Sequence, residues 1–122
     1  MKHVYIIEDD IGILEGLTFL LEKIYKVTAL SDARSALNKL QSEQPDLILL
    51  DLIMPDLNGT EFIEAFSERA LKVPILVMSA ASNVNAHLHY SSLVAGLIRK
   101  PFQIEEVLTT IEQVIARPSR TK

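Results

Sequence analysis

Five chemically capable side chains stand at the ends of short apolar runs. Glu8 and Asp9 follow the run over 4–7, Asp51 follows Leu47-Ile48-Leu49-Leu50, Ser79 follows Pro74-Ile75-Leu76-Val77-Met78, and Lys100, with Pro101 behind it, follows 97–99. If these runs are strands of one parallel sheet, their C-terminal ends share an edge, and open α/β sheets bind ligands at that edge near the topological switch point. Three carboxylates, a hydroxyl and an ammonium would then converge. Two carboxylates about 4 Å apart repel by roughly 4 kcal/mol at an effective dielectric of about 20, so the cluster calls for bound positive charge. A hard divalent cation with oxygen ligands answers it. Mg²⁺ suits a site that keeps several waters and accepts phosphate oxygens, Mn²⁺ could substitute, and Lys100 would neutralise a further charge.

Each residue also has a plainer reading. Glu8, Asp9 and Asp10 could equally open a helix, where acids suit the macrodipole. Ser79 alone fits a helix cap, and Lys100 alone fits a surface lysine. Asp51 is harder to dismiss, because an acid embedded between Leu50 and Leu52-Ile53-Met54 needs a partner or a task. Joint placement at four strand ends favours a site.

The elements that must position these residues follow from hydrophobic period. Strand candidates are 4–7, 26–29, 46–50, 75–78 and 97–99, the richest almost continuously apolar, as in strands covered on both faces. Between them, Ile13, Leu14, Leu17, Leu20, Leu21 and Ile24 fall on one broad helical face behind Asp10, a suitable N-cap. Ala33, Ala36, Leu37 and Leu40 form a second stripe, with Ser31 as the expected cap and Gln44-Pro45 closing the unit. Phe62, Ile63 and Phe66 mark a third helix after the turn Pro55-Asp56-Leu57-Asn58-Gly59. A fourth, irregular stretch covers 82–94. The last helix places Ile104, Val107, Leu108, Ile111, Val114 and Ile115 on one face. This alternation gives five βα units and an α/β fold with a parallel sheet.

Length and composition narrow the function. With 122 residues the chain has the size of one domain. Its 12 Lys+Arg against 16 Asp+Glu give a net charge of −4, which argues against a whole-domain grip on nucleic acid or anionic membrane, and no helix shows a basic recognition face. Without cysteine there is no disulfide framework, thiolate zinc site or cysteine nucleophile. No apolar run reaches membrane-spanning length and no signal peptide is apparent. A cytoplasmic location fits the chain, although it does not follow from these features. His3, His87 and His89 read as surface residues without metal-ligand spacing. The expected organisation is a domain over 1–116 and a polar, basic tail or start of a linker over 117–122.

Four segments in order, Val4-Tyr5-Ile6-Ile7-Glu8-Asp9-Asp10, Asp46 through Gly59, Met78-Ser79-Ala80 and Lys100-Pro101-Phe102, resemble the receiver domain of bacterial two-component response regulators over nearly the whole chain. The resemblance implies a flavodoxin-like (βα)5 fold, with strand order 2-1-3-4-5 and helices on both faces. It implies that Asp51 is the phosphoacceptor, that Glu8, Asp9, Asp51 and the backbone carbonyl of Ile53 hold Mg²⁺, and that Ser79 and Lys100 contact the phosphoryl group. A cis Lys100-Pro101 bond is also implied. The implied function is a phosphorelay signalling switch, not an enzyme beyond its own phosphotransfer and dephosphorylation. Its implied partner is a sensor histidine kinase or phosphotransfer protein. The output surface would be the fourth helix and fifth strand, in company with an output domain such as a transcription regulator beyond residue 122, or a phosphorylation-dependent homodimer.

The sequence departs from that pattern at named positions. Leu97 stands where the family usually has Tyr or Phe, so an aromatic gate of that form is missing, and Ser91 to Gly96 departs from the usual preceding segment. Ile53 and Ala81, two residues beyond Asp51 and Ser79, cannot hydrogen-bond an attacking water through their side chains, which favours a long-lived phosphorylated state. Two other readings stay open. A constitutive interaction module on a receiver fold would dock partners without phosphate. A flavin carrier is disfavoured, because the loops lack a phosphate-cradling Ser/Thr/Gly run.

Overall fold

Five short runs pair as strands, the three inner ones buried on both faces and the two edge ones only in part, and helical segments between them supply the covering layers. The computed structural model describes residues 1–51, 59–68, 72–79 and 94–117. Its strands are β1 (His3–Ile7), β2 (Lys26–Leu30), β3 (Leu47–Asp51), β4 (Ile75–Ser79) and β5 (Val94–Arg99). The helices among the described residues are α1 (Ile11–Leu21), α2 (Ala33–Leu40), α3 (Gly59–Glu68) and α4 (Ile104–Ala116). All four strand pairings are parallel, in the order β2-β1-β3-β4-β5. The expected flavodoxin-like sheet is therefore present.

Strict alternation along the strands divides the core in two. Tyr5, Ile7, Ile48, Leu50, Ile75 and Val77 face α2 and α3, meeting Ala36, Leu40, Phe62 and Phe66. Val4, Ile6, Leu47, Leu49, Leu76 and Met78 face the other way, onto Leu14, Leu17, Leu21, Val107, Ile111 and Val114. Each fully buried Leu, Ile or Phe contributes on the order of 2 kcal/mol by leaving water. Such a two-sided core makes a rigid support for whatever the strand ends carry.

Several expectations need correction. Each strand runs one or more residues beyond its expected bounds at one end, and β3 and β4 include Asp51 and Ser79 themselves. The start of β5 is the largest departure: Val94, assigned by period to the fourth helical stretch, is a strand residue paired with Ile75. Residues 82–93 lie outside the described residues, as do His87 and His89. The pairing skips Ala95, since Leu76 partners Gly96, so β5 carries a bulge there. A Cβ added to Gly96 would stand 3.0 Å from Leu76 Cδ2, which accounts for glycine beside the bulge.

At α2 the N-cap is Asp32 and not Ser31. Asp32 is extended and its carboxylate accepts the Ser35 N–H at 2.7 Å, a reach that Ser31, one residue earlier, does not have. Asp10 caps α1 as expected, accepting from the Ile13 N–H at 3.1 Å. On α1 the buried row is Leu14, Leu17 and Leu21, whereas Leu20 is exposed on its flank. Ile24 is also exposed, because α1 ends at Leu21 and the chain turns before it. His3 is buried, not at the surface, since β1 is an inner strand from its first residue.

Candidate functional site

Strand order explains why the polar residues meet. β3 lies between β1 and β4, and Ile7 is level with Leu50, so Glu8 and Asp9 emerge beside Asp51. The Glu8 N–H continues the ladder by donating to the Leu30 carbonyl at 3.0 Å, which fixes the backbone just where the strand gives way to α1. On the other flank Asp51 is level with Met78, and Ser79 with Arg99. The Lys100 N–H donates to the Ser79 carbonyl at 3.0 Å, so the last strand delivers its lysine to the same edge. The Lys100-Pro101 peptide bond is cis, as the resemblance implied.

Carboxylate oxygens of Glu8, Asp9 and Asp51 lie within 4.8 Å of one another. Glu8 and Asp51 are buried and Asp9 is exposed. Lys100 Nζ stands 2.7 Å from Glu8 Oε1 and 3.6 Å from Asp51 Oδ2, bridging two of the three acids. The second Glu8 oxygen accepts the Asp10 N–H at 3.1 Å. Burial pulls the Lys100 ammonium down, but the hydrogen bond from Lys100 to Glu8 and the charge of Asp51 outweigh it, so its pKa lies above the usual lysine value. Among the described residues, one ammonium stands against three carboxylates at this edge, an excess of negative charge on hard oxygen donors. Oxygens sharing one Mg²⁺ at about 2.1 Å stand at most about 4.2 Å apart, so a small contraction of this cluster would suffice.

Among the residues singled out from the sequence, Glu8, Asp9, Asp51 and Lys100 come together. Ser79 is buried at the end of β4, next in the ladder after the residue level with Asp51. Leu97 is level with Val77 on β5 and packs, partly buried, against the α2 and α3 side of the core. Ile53 and Ala81 lie outside the described residues. Sequence reasoning missed the tight pairing of Lys100 with Glu8. Its only signal was the position of Glu8 as the first acid after the inner strand, where a side chain is most deeply covered.

The family model described as response regulator receiver domain matches residues 4–112. This chain belongs to that family, and so to the phosphorylation-based signalling of two-component systems. Transcriptional regulatory protein CiaR of Streptococcus pneumoniae is 29% identical over 121 residues, covering 98% of this chain and 54% of that protein. The alkaline phosphatase synthesis transcriptional regulatory protein PhoP of Bacillus subtilis is 31% identical over 118 residues, covering 95% of this chain and 49% of its own length. The chain thus spans about half the length of these relatives. Among solved structures, a CheY-like response regulator receiver domain from Methanospirillum hungatei superposes with a TM-score of 0.84 at 27% identity, covering 94% of both chains. The crystal structure of FixJ-N does so with 0.87 at 19% identity, covering 99% of this chain and 98% of that one, a likeness of fold. No helix among the described residues is long and apolar enough to cross a membrane.

Proposed function

We propose that the chain is the phosphoacceptor switch of a phosphorelay, with Asp51 taking a phosphoryl group from the phosphohistidine of a sensor histidine kinase or phosphotransfer protein. The observation that carries this reading is the buried Asp51 carboxylate beside Glu8, Asp9 and the Lys100 ammonium at the strand-end edge. An Asp51 oxygen attacks phosphorus in line, the P–N bond to the donor imidazole breaks as the P–O bond forms, and the imidazole leaves with the electron pair. Lys100 neutralises equatorial oxygen charge, and the Ser79 hydroxyl takes a hydrogen bond role toward the phosphoryl group. Bound Mg²⁺ would supply Lewis-acid neutralisation of the same oxygens, held by Asp9, Asp51, Glu8 and the Ile53 carbonyl. Since one Glu8 oxygen already accepts from Lys100 and the other from the Asp10 N–H, its further task is to anchor the lysine.

The acyl phosphate carries roughly two negative charges and three strong acceptors where one carboxylate stood. Turning a 1:99 equilibrium into 99:1 takes about 5.5 kcal/mol of preference for the active state, within reach of a few charge-assisted hydrogen bonds. Ser79 and Lys100 are joined through the β4–β5 ladder, so a shift at Ser79 is transmitted to β5 and Leu97. The relatives named above as transcriptional regulators support an output domain beyond residue 122. Residues 1–116 would then be the receiver unit, followed by a linker.

Intact mass after incubation with acetyl phosphate and Mg²⁺ tests this reading. One added phosphoryl group in the wild type and none in Asp51→Asn is expected. No gain in either folded protein, with a reactive receiver as a parallel control, would favour a constitutive interaction module instead.

A further inference from the structure

A second group of titratable side chains lies at the opposite end of the sheet from Asp51, where the strands begin. His3, the first residue of β1, is buried, and its Nε2 is 2.7 Å from the Thr28 hydroxyl on β2. Its backbone makes a reciprocal joint with the residue before β3: the His3 N–H donates to Asp46 Oδ2 at 2.8 Å, and the Asp46 N–H donates to the His3 carbonyl at 2.7 Å. The ring stands edge-on to Tyr5 with centroids 5.2 Å apart. Tyr5 in turn donates its hydroxyl toward Oε1 and the carbonyl of Glu43, each at 3.0 Å. Glu43 is flanked by Lys39 at 3.6 Å and Lys26 at 3.9 Å.

This group ties β1 to β2, and ties both to the segment that leads from α2 into β3. It also sets the starting register of β1 against β3, with Val4 level with Leu47, which four residues later puts Glu8 beside Asp51.

A proton on His3 gains no net compensation in this arrangement. The surrounding charges are already matched, with Glu43 and Asp46 against Lys26 and Lys39, and Tyr5 is neutral. Thr28 satisfies either ring state, because its hydroxyl can donate or accept, so it does not reward the cation. Burial then penalises the charged imidazole outright. From this geometry we infer that His3 is an acid-sensitive clasp: protonation of its imidazole loosens the joint between the start of β1, the edge strand β2 and the entry into β3.

The direction of His3 titration agrees. Burial holds its pKa below the usual histidine value, with Glu43 and Asp46 pulling up and Lys26 and Lys39 pushing down. A depressed value means that the unfolded chain takes the proton first. The contribution of His3 is therefore intact above about pH 6.5 and is lost as pH falls through the folded value. Glu43 titrates lower than an ordinary glutamate, because the Tyr5 hydrogen bond favours its anion, so it stays charged through mild acid. Loss in that range is thus separable from Glu43 protonation.

The test follows the His3 ring by NMR together with hydrogen exchange of the Asp46 amide and of the Lys26 amide, which donates to the Lys2 carbonyl at 2.9 Å, corrected for intrinsic rates, from about pH 7.5 to about pH 5. The wild type should lose several-fold protection at both amides with the same midpoint as His3. The His3→Gln protein, which keeps a neutral group within reach of Thr28, should hold its protection over that interval. Equal loss in both proteins, no loss in the wild type, or a midpoint in the carboxylate range below His3 would overturn the inference. If His3→Gln does not fold, coincidence of the two wild-type midpoints decides alone.

Discussion

Removing one negative charge from the strand-end cluster should stabilise the metal-free protein. The carboxylate oxygens of Glu8, Asp9 and Asp51 approach within 4.8 Å. At that separation two unit charges repel by about 0.9 kcal/mol in water-like surroundings and about 3.5 kcal/mol at an effective dielectric near 20. Asp9 is exposed, so the lower figure governs each of its two repulsions, and the Lys100 ammonium offsets part of the sum. Asp9→Asn should therefore gain on the order of 1 kcal/mol in chelator, a rise of about 3–5 °C in Tm for a chain of this size. The opposite should hold with Mg²⁺. Ligand binding stabilises by RT ln(1 + [L]/Kd), about 2.7 kcal/mol at a hundredfold excess over Kd, and the variant has given up a charged oxygen ligand. Thermal melts of both proteins in chelator and across a Mg²⁺ series would check this. An unchanged or lower Tm for Asp9→Asn in chelator, or equal Mg²⁺ shifts in both proteins, would refute the reasoning.

Lys100→Met should lose about 2 kcal/mol near neutral pH, because buried Glu8 gives up the ammonium 2.7 Å away and Asp51 the same ammonium at 3.6 Å; denaturant titration reads it. The folded Lys100 pKa is raised, so its contribution is present below about pH 10.5 and lost as pH climbs through the folded value; the variant should show a flatter alkaline decline in Tm than the wild type. Gly16 is exposed within α1 and a Cβ there would meet nothing within 4 Å, so Gly16→Ala should add about 0.5–1 kcal/mol through helix propensity, read as a higher urea midpoint at unchanged slope. Ile53→Asn should speed loss of phosphate from the acylated domain, followed by intact mass against time, because an amide can orient water where isoleucine cannot. Unchanged decay would remove that position from the account.

The strand-end site was legible because strand order and residue type reinforce each other. Asp51 stands out as an acid ending an apolar run, and the implied order 2-1-3-4-5 brings it to Glu8 and Lys100, as found. What periodicity could not give was set by tertiary contacts. The extension of β5 back to Val94 depends on pairing with Ile75 and on a bulge at Ala95, neither of which leaves a local pattern. His3 read as a surface residue because nothing local shows that β1 is an inner strand from its first residue. The cap of α2 turned on one residue of backbone geometry, with Asp32 extended and Ser31 out of reach. Leu20 and Ile24 look like core by type, but Leu20 lies on the flank of α1 and Ile24 comes after the helix has ended.

The central claim is that Asp51 carries the phosphoryl group. Borohydride reduction converts an aspartyl phosphate to homoserine, so peptide mapping after incubation with acetyl phosphate and Mg²⁺, then borohydride, reads the acceptor directly. Homoserine at position 51, dependent on both phosphodonor and Mg²⁺ and lost when Lys100 is replaced by Met, is the predicted result. Reduction at another carboxylate, such as Asp9, or none at any position in the folded protein, would contradict it.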